Sequence, residues 1–133
     1  MKLSRKSEYA CLALIDLSEN YDSGLVKMVD ISRRKNIPKK YLEQILLLLK
    51  GAGYVKSESG SGGGYKLSRP PEKISLAEII RLIDGPLASV KSASVYFYEH
   101  TPVEQSEKLL SVFKEIRDYT ARKLEGTTFR DLV

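Results

Sequence analysis

A mainly α-helical chain with one small β-hairpin is the fold class this sequence predicts, and three observations predict it. Leu42, Ile45, Leu46 and Leu49 recur at i, i+3, i+4 and i+7, the spacing of one helix face. Two short β-like runs, Tyr54-Val55-Lys56-Ser57 and Tyr65-Lys66-Leu67-Ser68, flank the glycine-rich stretch Ser59-Gly60-Ser61-Gly62-Gly63-Gly64. Helix-start signals then recur at Ser75 and Thr101, before two further apolar-periodic segments. With 133 residues and 42% apolar content, the chain is one ordinary domain, or a small domain plus an oligomerisation element, with enough apolar side chains for a core.

Charge and cysteine content narrow the function classes. Residues 1 to 73 carry 14 Lys/Arg against 8 Asp/Glu, whereas residues 74 to 133 carry 8 against 9. The net charge of +5 therefore belongs to the N-terminal half and favours a polyanionic partner for that half. A single cysteine, Cys11, rules out an internal disulfide framework and a cysteine cage for a metal within one chain. That usage suits a reducing, cytoplasmic setting, and no apolar run approaches the roughly 18 to 20 residues of a membrane span. A cytoplasmic protein with no membrane partner is expected.

Taken in order, Ser4 caps a first helix reaching about Glu19, apolar nearly all round from Tyr9 to Leu17, as befits a helix in the middle of something. After the turn-like Asn20 to Gly24, a short helix fits Lys27 to Lys35, with Met28 and Ile31 on one face and Arg33, Arg34 and Lys35 complementing the dipole at its end. Pro38 is placed for the first turn of the next helix, which reaches about Lys50. Its buried stripe is the leucine and isoleucine set above, and Lys40, Glu43, Gln44 and Leu47 share the same spacing on another face. The glycines Gly51 and Gly53 stop it, and the hairpin follows. Short helix, tight turn, second helix, hairpin is the order of a winged helix-turn-helix.

Beyond the Pro70-Pro71 pair, Ser75 and Glu78 form a capping box, Ile74 and Ile79 a hydrophobic staple, and Asp84-Gly85-Pro86 a stop. Residues 87 to 100 are irregular, with Val95-Tyr96-Phe97-Tyr98 as a strand or packing segment. A second capping box, Thr101 and Glu104 with Pro102 at the first helical position, is expected to open a helix running to about Glu125, roughly 36 Å at 1.5 Å per residue. Its apolar stripe of Leu109, Val112, Phe113, Ile116 and Tyr119, extended by Leu124, exceeds what so small a domain needs for itself. Its expected partner is the same helix of a second chain. The chain thus divides into a winged helix-turn-helix DNA-binding domain over 1–85, with the wing at about 54–68, and a part over 86–133. This second part holds a connecting segment, a dimerisation helix at about 102–125 and a tail.

The glycine loop lacks the Gly-Lys-Ser/Thr step into a helix that a phosphate loop needs, and it lacks a glycine three residues after Gly62. A hairpin tip serving as a wing fits better, formed by Ser59, Gly60, Ser61, Gly62, Gly63, Gly64 and Tyr65. The stripe Lys40, Glu43, Gln44 and Leu47 is the face a helix-turn-helix turns to the major groove. There Gln bonds adenine in two places, Glu accepts from cytosine N4, and Leu meets a thymine methyl. Phosphate neutralisation is expected from Lys2, Arg5, Lys6, Arg33, Arg34, Lys39, Lys40 and Lys66. Cys11, within the most apolar helix, reads as a small core hydrophobe, and His100 as a solvated side chain. No nucleophile stands with a recognisable base, so no enzymatic activity is expected.

In MKLSRKSEYA, IPKKYLEQIL, AGYVKS, GGGYKLSRPPEKISLAEII, DGPL and TTFRDLV, nearly the whole chain resembles the Rrf2-type winged helix-turn-helix transcriptional regulators, the IscR, NsrR and CymR class. The resemblance implies a homodimer on a palindromic operator, with Lys40, Glu43 and Gln44 in the major groove. It also implies Lys2, Ser4, Lys6 and Tyr9 near backbone phosphates and the Gly60 to Tyr65 wing near the minor groove. Cluster-binding members carry three cysteines across the stretch matching about Ser89 to Ser106, where this chain has none, so no iron-sulfur cofactor of that kind is expected. Members often carry Arg where Ser59 stands, and small or basic residues where Leu47 and Leu48 stand. A dimeric DNA-binding regulator, a repressor without a cluster, is the expected function, with a small molecule or a protein as effector. The alternatives are a winged helix that docks proteins through Leu47, Leu48 and the wing, and a regulator sharing a metal or cluster between chains through Glu8, Cys11 or His100.

Overall fold

The computed structural model describes residues 1–133. Five helices and one hairpin follow in the expected order: α1 (Arg5–Glu19), α2 (Met28–Lys35), α3 (Lys39–Gly51), β1 (Val55–Glu58), β2 (Gly64–Leu67), α4 (Leu76–Asp84) and α5 (Glu107–Glu125). Ser4 caps α1 by accepting the Ser7 N–H at 3.1 Å, and Ser75 and Glu78 form the reciprocal capping box of α4. Ile74 and Ile79, the staple pair, are fully buried.

Helix α1 runs through the centre and packs against α2, α3, α4 and β2. Its inner residues Ala10, Ala13, Leu14 and Leu17 meet Leu42, Ile45, Leu46 and Leu49 of α3 in one core, so both periodic faces lie inward as the spacing requires. α1 is not apolar-buried all round: Leu12 is exposed, and Tyr9, Cys11 and Ile15 are only half-buried. The α2–α3 turn rests on Asn36, which takes a left-handed conformation (φ 52°, ψ 48°) that Asn tolerates better than most side chains. Ser32 braces that turn twice, its carbonyl accepting the Ile37 N–H at 3.0 Å and its hydroxyl donating to the Ile37 carbonyl at 2.6 Å. Pro38 stands at the cap position of α3, one residue before the first turn expected for it.

Strands β1 and β2 pair antiparallel, Val55 opposite Leu67 through Glu58 opposite Gly64. Val26 adds a bridge to Tyr65 with both backbone bonds at 2.8 Å, so the hairpin is docked onto the chain leading into α2.

Two expectations fail in the C-terminal part. Val95–Tyr98 forms no strand; the one sheet is the hairpin, and this segment has no neighbour to pair with. The long helix starts at Glu107, five residues later than the Thr101 capping box implies, and its 19 residues span about 28 Å. Thr101 and Glu104 are engaged elsewhere: the Thr101 hydroxyl bonds Ser92 Oγ at 2.5 Å, and the Glu104 carboxylate accepts from Tyr98 and pairs with His100. Pro102–Gln105 becomes a separate 3-10 turn, and Ser106 caps α5 by accepting the Leu109 N–H at 3.2 Å. The tail then returns: Phe129 is fully buried in the main core, and Thr128 bridges Ser75 beside α4.

Candidate nucleic-acid interface

Helix α3 presents Lys40, Glu43, Gln44 and Leu47 outward, all exposed, with Leu47 72% exposed. The polar heads of Lys40, Glu43 and Gln44 make no hydrogen bond or ion pair within the chain, leaving their donors and acceptors free for base edges. Position along the helix follows from the opposite face: Leu42, Ile45, Leu46 and Leu49 are fully buried and fix its rotation. Tyr41 lies against Tyr9 of α1, ring centroids 5.6 Å apart, so the start of α3 and the flank of α1 share one surface.

Around this helix the cations sort into three groups. Lys2, Lys6, Lys39 and Lys66 are exposed and, like Lys40, form no ion pair. Arg5 and Arg33 are exposed but held by Glu8 at 3.3 Å and Asp30 at 3.2 Å, pairs weak enough to exchange for a phosphate. Arg34 is also exposed, but its guanidinium donates twice at 2.9 Å to Asp16, which is only 1% exposed. The hydrogen bond to Asp16, ahead of the opposing cost of burial, raises the Arg34 pKa further. Sequence reasoning placed Arg34 with the phosphate ligands and missed this pair. The signal was a lone acid, Asp16, among the apolar residues of α1.

Ser4 is half-buried and its hydroxyl is used as the helix cap, while its backbone N–H donates to Asp84 Oδ2 at 2.9 Å. Burial alone would raise the Asp84 carboxyl, but the hydrogen bonds from Ser4 outweigh it and hold the group below its usual range. The end of α4 is thereby pinned to the start of α1.

In the wing, Ser59, Gly60, Ser61 and Gly62 are exposed, and Gly60 takes a positive φ of 96°. Gly63 and Gly64 have a different task. A Cβ on Gly63 would lie 2.1 Å from the Glu58 carbonyl oxygen, and one on Gly64 2.6 Å from the Val26 carbonyl oxygen, so both glycines admit close backbone approach. Tyr65 is half-buried, packed on the core. Lys27 Nζ donates to the Ser61 carbonyl at 2.8 Å and ties the wing tip to the start of α2, a contact with no sequence signal beyond the spacing of the elements.

On α5 the apolar stripe has no cover within the chain: Leu109, Val112, Ile116 and Tyr119 are exposed, Phe113 is half-buried, and no residue of the helix is buried.

A metal or cluster finds a poor donor set here. Nowhere do three His, Cys, Asp or Glu side chains converge in a metal-holding group. Cys11 is half-buried in α1, and burial, reinforced by the Asp84 charge, pushes its thiol up to about 11, away from the thiolate a metal needs. His100 is exposed and engaged with Glu104 at 2.7 Å. These residues do not fit a thiolate-held iron-sulfur cluster in one chain. No helix is long and apolar enough to cross a membrane.

Known proteins share this architecture. The CymR transcriptional regulator of Bacillus subtilis is 32% identical over 132 residues, covering 99% of this chain and 89% of its own. The solved structure of that protein, described as the global cysteine regulator, superposes with a TM-score of 0.79 at 31% identity, covering 99% of this chain and 95% of that one. The IscR structure of T. potens superposes with a TM-score of 0.76 at 30% identity, covering 99% and 85%. A winged-helix DNA-binding unit of this build, in relatives that are transcriptional regulators rather than enzymes, defines what the chain is for. The family model for Rrf2, described as an iron-dependent transcriptional regulator, matches residues 3–133, and this chain belongs to that family of DNA-binding transcriptional regulators.

Proposed function

We propose that the chain acts as a homodimeric, cluster-free repressor on a palindromic operator. The observation that carries this reading is the outward face of α3, whose Lys40, Glu43 and Gln44 have no partners within the chain; Lys2, Lys6, Lys39 and Lys66, exposed and in no ion pair, add free positive charge to the same half. Glu43 and Gln44 read base edges, Leu47 meets a thymine methyl, and the lysines, with Arg5 and Arg33, neutralise phosphates. Tyr9 lies against Tyr41 on the same surface, Ser4 at the start of α1 is a further backbone contact, and the exposed wing tip from Ser59 to Gly62 approaches the minor groove. The uncovered stripe of α5 supports a dimer through Leu109, Val112, Phe113, Ile116 and Tyr119. Repression is the simplest output of such a dimer, because occupying a promoter is enough to exclude the polymerase. The donor set described above supports a cluster-free state.

The test is an operator selected from random DNA, followed by titrations across salt. Gln44→Ala relaxes the preference at one base pair per half-site, at a cost of about 1 to 3 kcal/mol on the preferred sequence. Lys6→Ala weakens all sequences alike and lowers the salt slope by about 1. If both variants prove indifferent to sequence and to salt, the assignment is wrong.

One observation favours a second reading, a protein-docking module. Gln44, Leu47, Leu48, Gly51 and Ala52 line a shallow, mostly apolar concavity beside the recognition helix. No enriched sequence and a flat salt dependence would select it.

A further inference from the structure

A cavity of about 330 Å³ lies on the far part of the molecule, between α4, α5 and the segment 87–97. Its size is at the lower end of small-molecule sites. Leu87, Ala88 and Ala121 supply an apolar base, and Val95, Tyr96 and Phe97 an adjoining wall. The wall is preformed: Phe97 N–H donates to Ser94 Oγ at 3.0 Å, and Arg117 Nη1 donates to the Ala93 carbonyl at 2.9 Å. Yet the folded chain leaves these side chains wet, Tyr96 being 69% and Val95 63% exposed. Large apolar groups beside a cavity and open to water gain by covering with an apolar body.

Charge narrows that body further. Arg81, Arg117 and Arg122 line the cavity with only Asp118 and Glu125 opposing them. Arg81 is paired with Glu125 at 2.6 Å and lies 4.9 Å above the Tyr96 ring, and Arg117 is paired with Asp118 through Nε at 2.9 Å. Arg122 makes no ion pair. One unbalanced guanidinium beside aromatic side chains suits a single carboxylate carried on a flat apolar group.

We propose that this cavity is the effector site of the regulator and takes a small aromatic monocarboxylate, with Arg122 as its carboxylate partner and Tyr96 and Phe97 against its ring. The base of the cavity begins at Leu87, three residues beyond Asp84, whose carboxylate holds the Ser4 N–H at the start of α1. Occupying the cavity therefore bears on the position of the N-terminal lysines. This effector role rests on the DNA-binding reading above; the binding site does not.

The experiment uses the full chain and two probes, 3-phenylpropionate and indole-3-acetate, each with its amide as the uncharged control. Binding is followed by NMR shift perturbation without DNA, up to about 10 mM, since probes of this size bind in about the millimolar range or tighter. The expected result is saturable binding with shifts at Tyr96, Phe97 and Ala121, weakened at least about tenfold in the amides and in Arg122→Gln. Ala121→Leu, which fills the cavity, abolishes it with the circular dichroism spectrum unchanged. Equal binding of acid and amide, shifts mapping elsewhere, undiminished binding by Arg122→Gln, or no saturation overturns the site. In a second arm, affinity for the selected operator changes at least about threefold with bound probe. A saturated cavity with unchanged operator affinity overturns the effector role alone. Absence of any DNA binding in unliganded protein instead counts against the DNA-binding reading and leaves the first arm standing.

Discussion

Arg34 and Asp16 show how one contact ties a cation of the basic half to the fold. A side-chain carboxyl that is 1% exposed needs hydrogen-bond partners inside the fold, and Arg34 supplies two parallel hydrogen bonds at 2.9 Å. Arg34→Ala is expected to destabilise the fold by about 2 kcal/mol, less than a fully buried pair because the arginine is partly solvated. Urea unfolding checks this, and an unchanged midpoint with a lower salt slope on DNA would return Arg34 to the phosphate ligands. Asp84 is the second such residue. Its folded-state pKa is depressed, so its stabilising contribution is present above the unfolded value near 4 and disappears as the pH falls through the lower folded value. Asp84→Ala should cost about 1 kcal/mol at neutral pH, with the difference from the parent shrinking as the pH falls through the depressed folded-state value in urea titrations.

The wing and α5 show what sequence patterns specify at the level of an element. Glycines at 60, 62, 63 and 64 look equivalent in the sequence, but the fold gives them unequal tasks. Gly62→Ala meets open space and should leave stability within about 0.5 kcal/mol, whereas Gly63→Ala drives a Cβ against the Glu58 carbonyl and should cost about 1 to 3 kcal/mol. Equal thermal unfolding of the two variants would show that the turn relaxes around the new methyl. Ser59→Arg, at the exposed edge of the same tip, is expected to strengthen binding to sites with narrow minor grooves by about 1 to 3 kcal/mol. No gain on A-tract-flanked sites would mean the wing is not seated there. For α5, Ser106→Ala should remove about 1 kcal/mol through loss of the cap, and Thr101→Ala should leave the helix length unchanged by NMR chemical shifts.

At the scale of the molecule, α5 leaves an apolar stripe that the proposed dimer would cover. Helix α5 buries none of its residues, and its uncovered stripe from Leu109 to Tyr119 runs for about three turns with Tyr119 68% exposed. A homodimer on a palindrome needs its two α3 helices to reach successive major grooves, about 34 Å apart on the duplex. Ile116→Glu is expected to convert the dimer to monomer by sedimentation and to reduce affinity for a two-half-site operator at least about tenfold. Half-site affinity should stay unchanged. A monomeric parent protein would remove the basis for the palindrome. The tail adds a link between the two parts: Phe129 enters the core formed by α1 and α3, so the second part is anchored on the first at both of its ends.

Where a signal was local, the sequence was sufficient. The rotation of α3 followed from four apolar residues at helical spacing, the start of α4 from a capping box, and the wing from two short runs around glycine. Each of these depends on residues within a few positions of one another. What remained undetermined depended on competing contacts that only the folded chain makes. Thr101 and Glu104 satisfy a helix-start pattern, but Ser92, Tyr98 and His100 take their side chains, and the helix waits for Ser106. Arg34 resembles its neighbour Arg33 until Asp16, eighteen residues away, is brought beneath it. Gly63 and Gly64 differ from Gly62 because backbone from Glu58 and Val26 would lie 2.1 and 2.6 Å from an added Cβ, and because Gly64 takes a positive φ of 153°. Periodicity and caps are properties of a short stretch of chain, so the sequence by itself determined the elements, their inward faces and the class of partner. Competition for hydrogen bonds and for space is a property of the packed molecule, so only the tertiary structure decided where α5 begins, which cations are free and which glycines are tied to the fold.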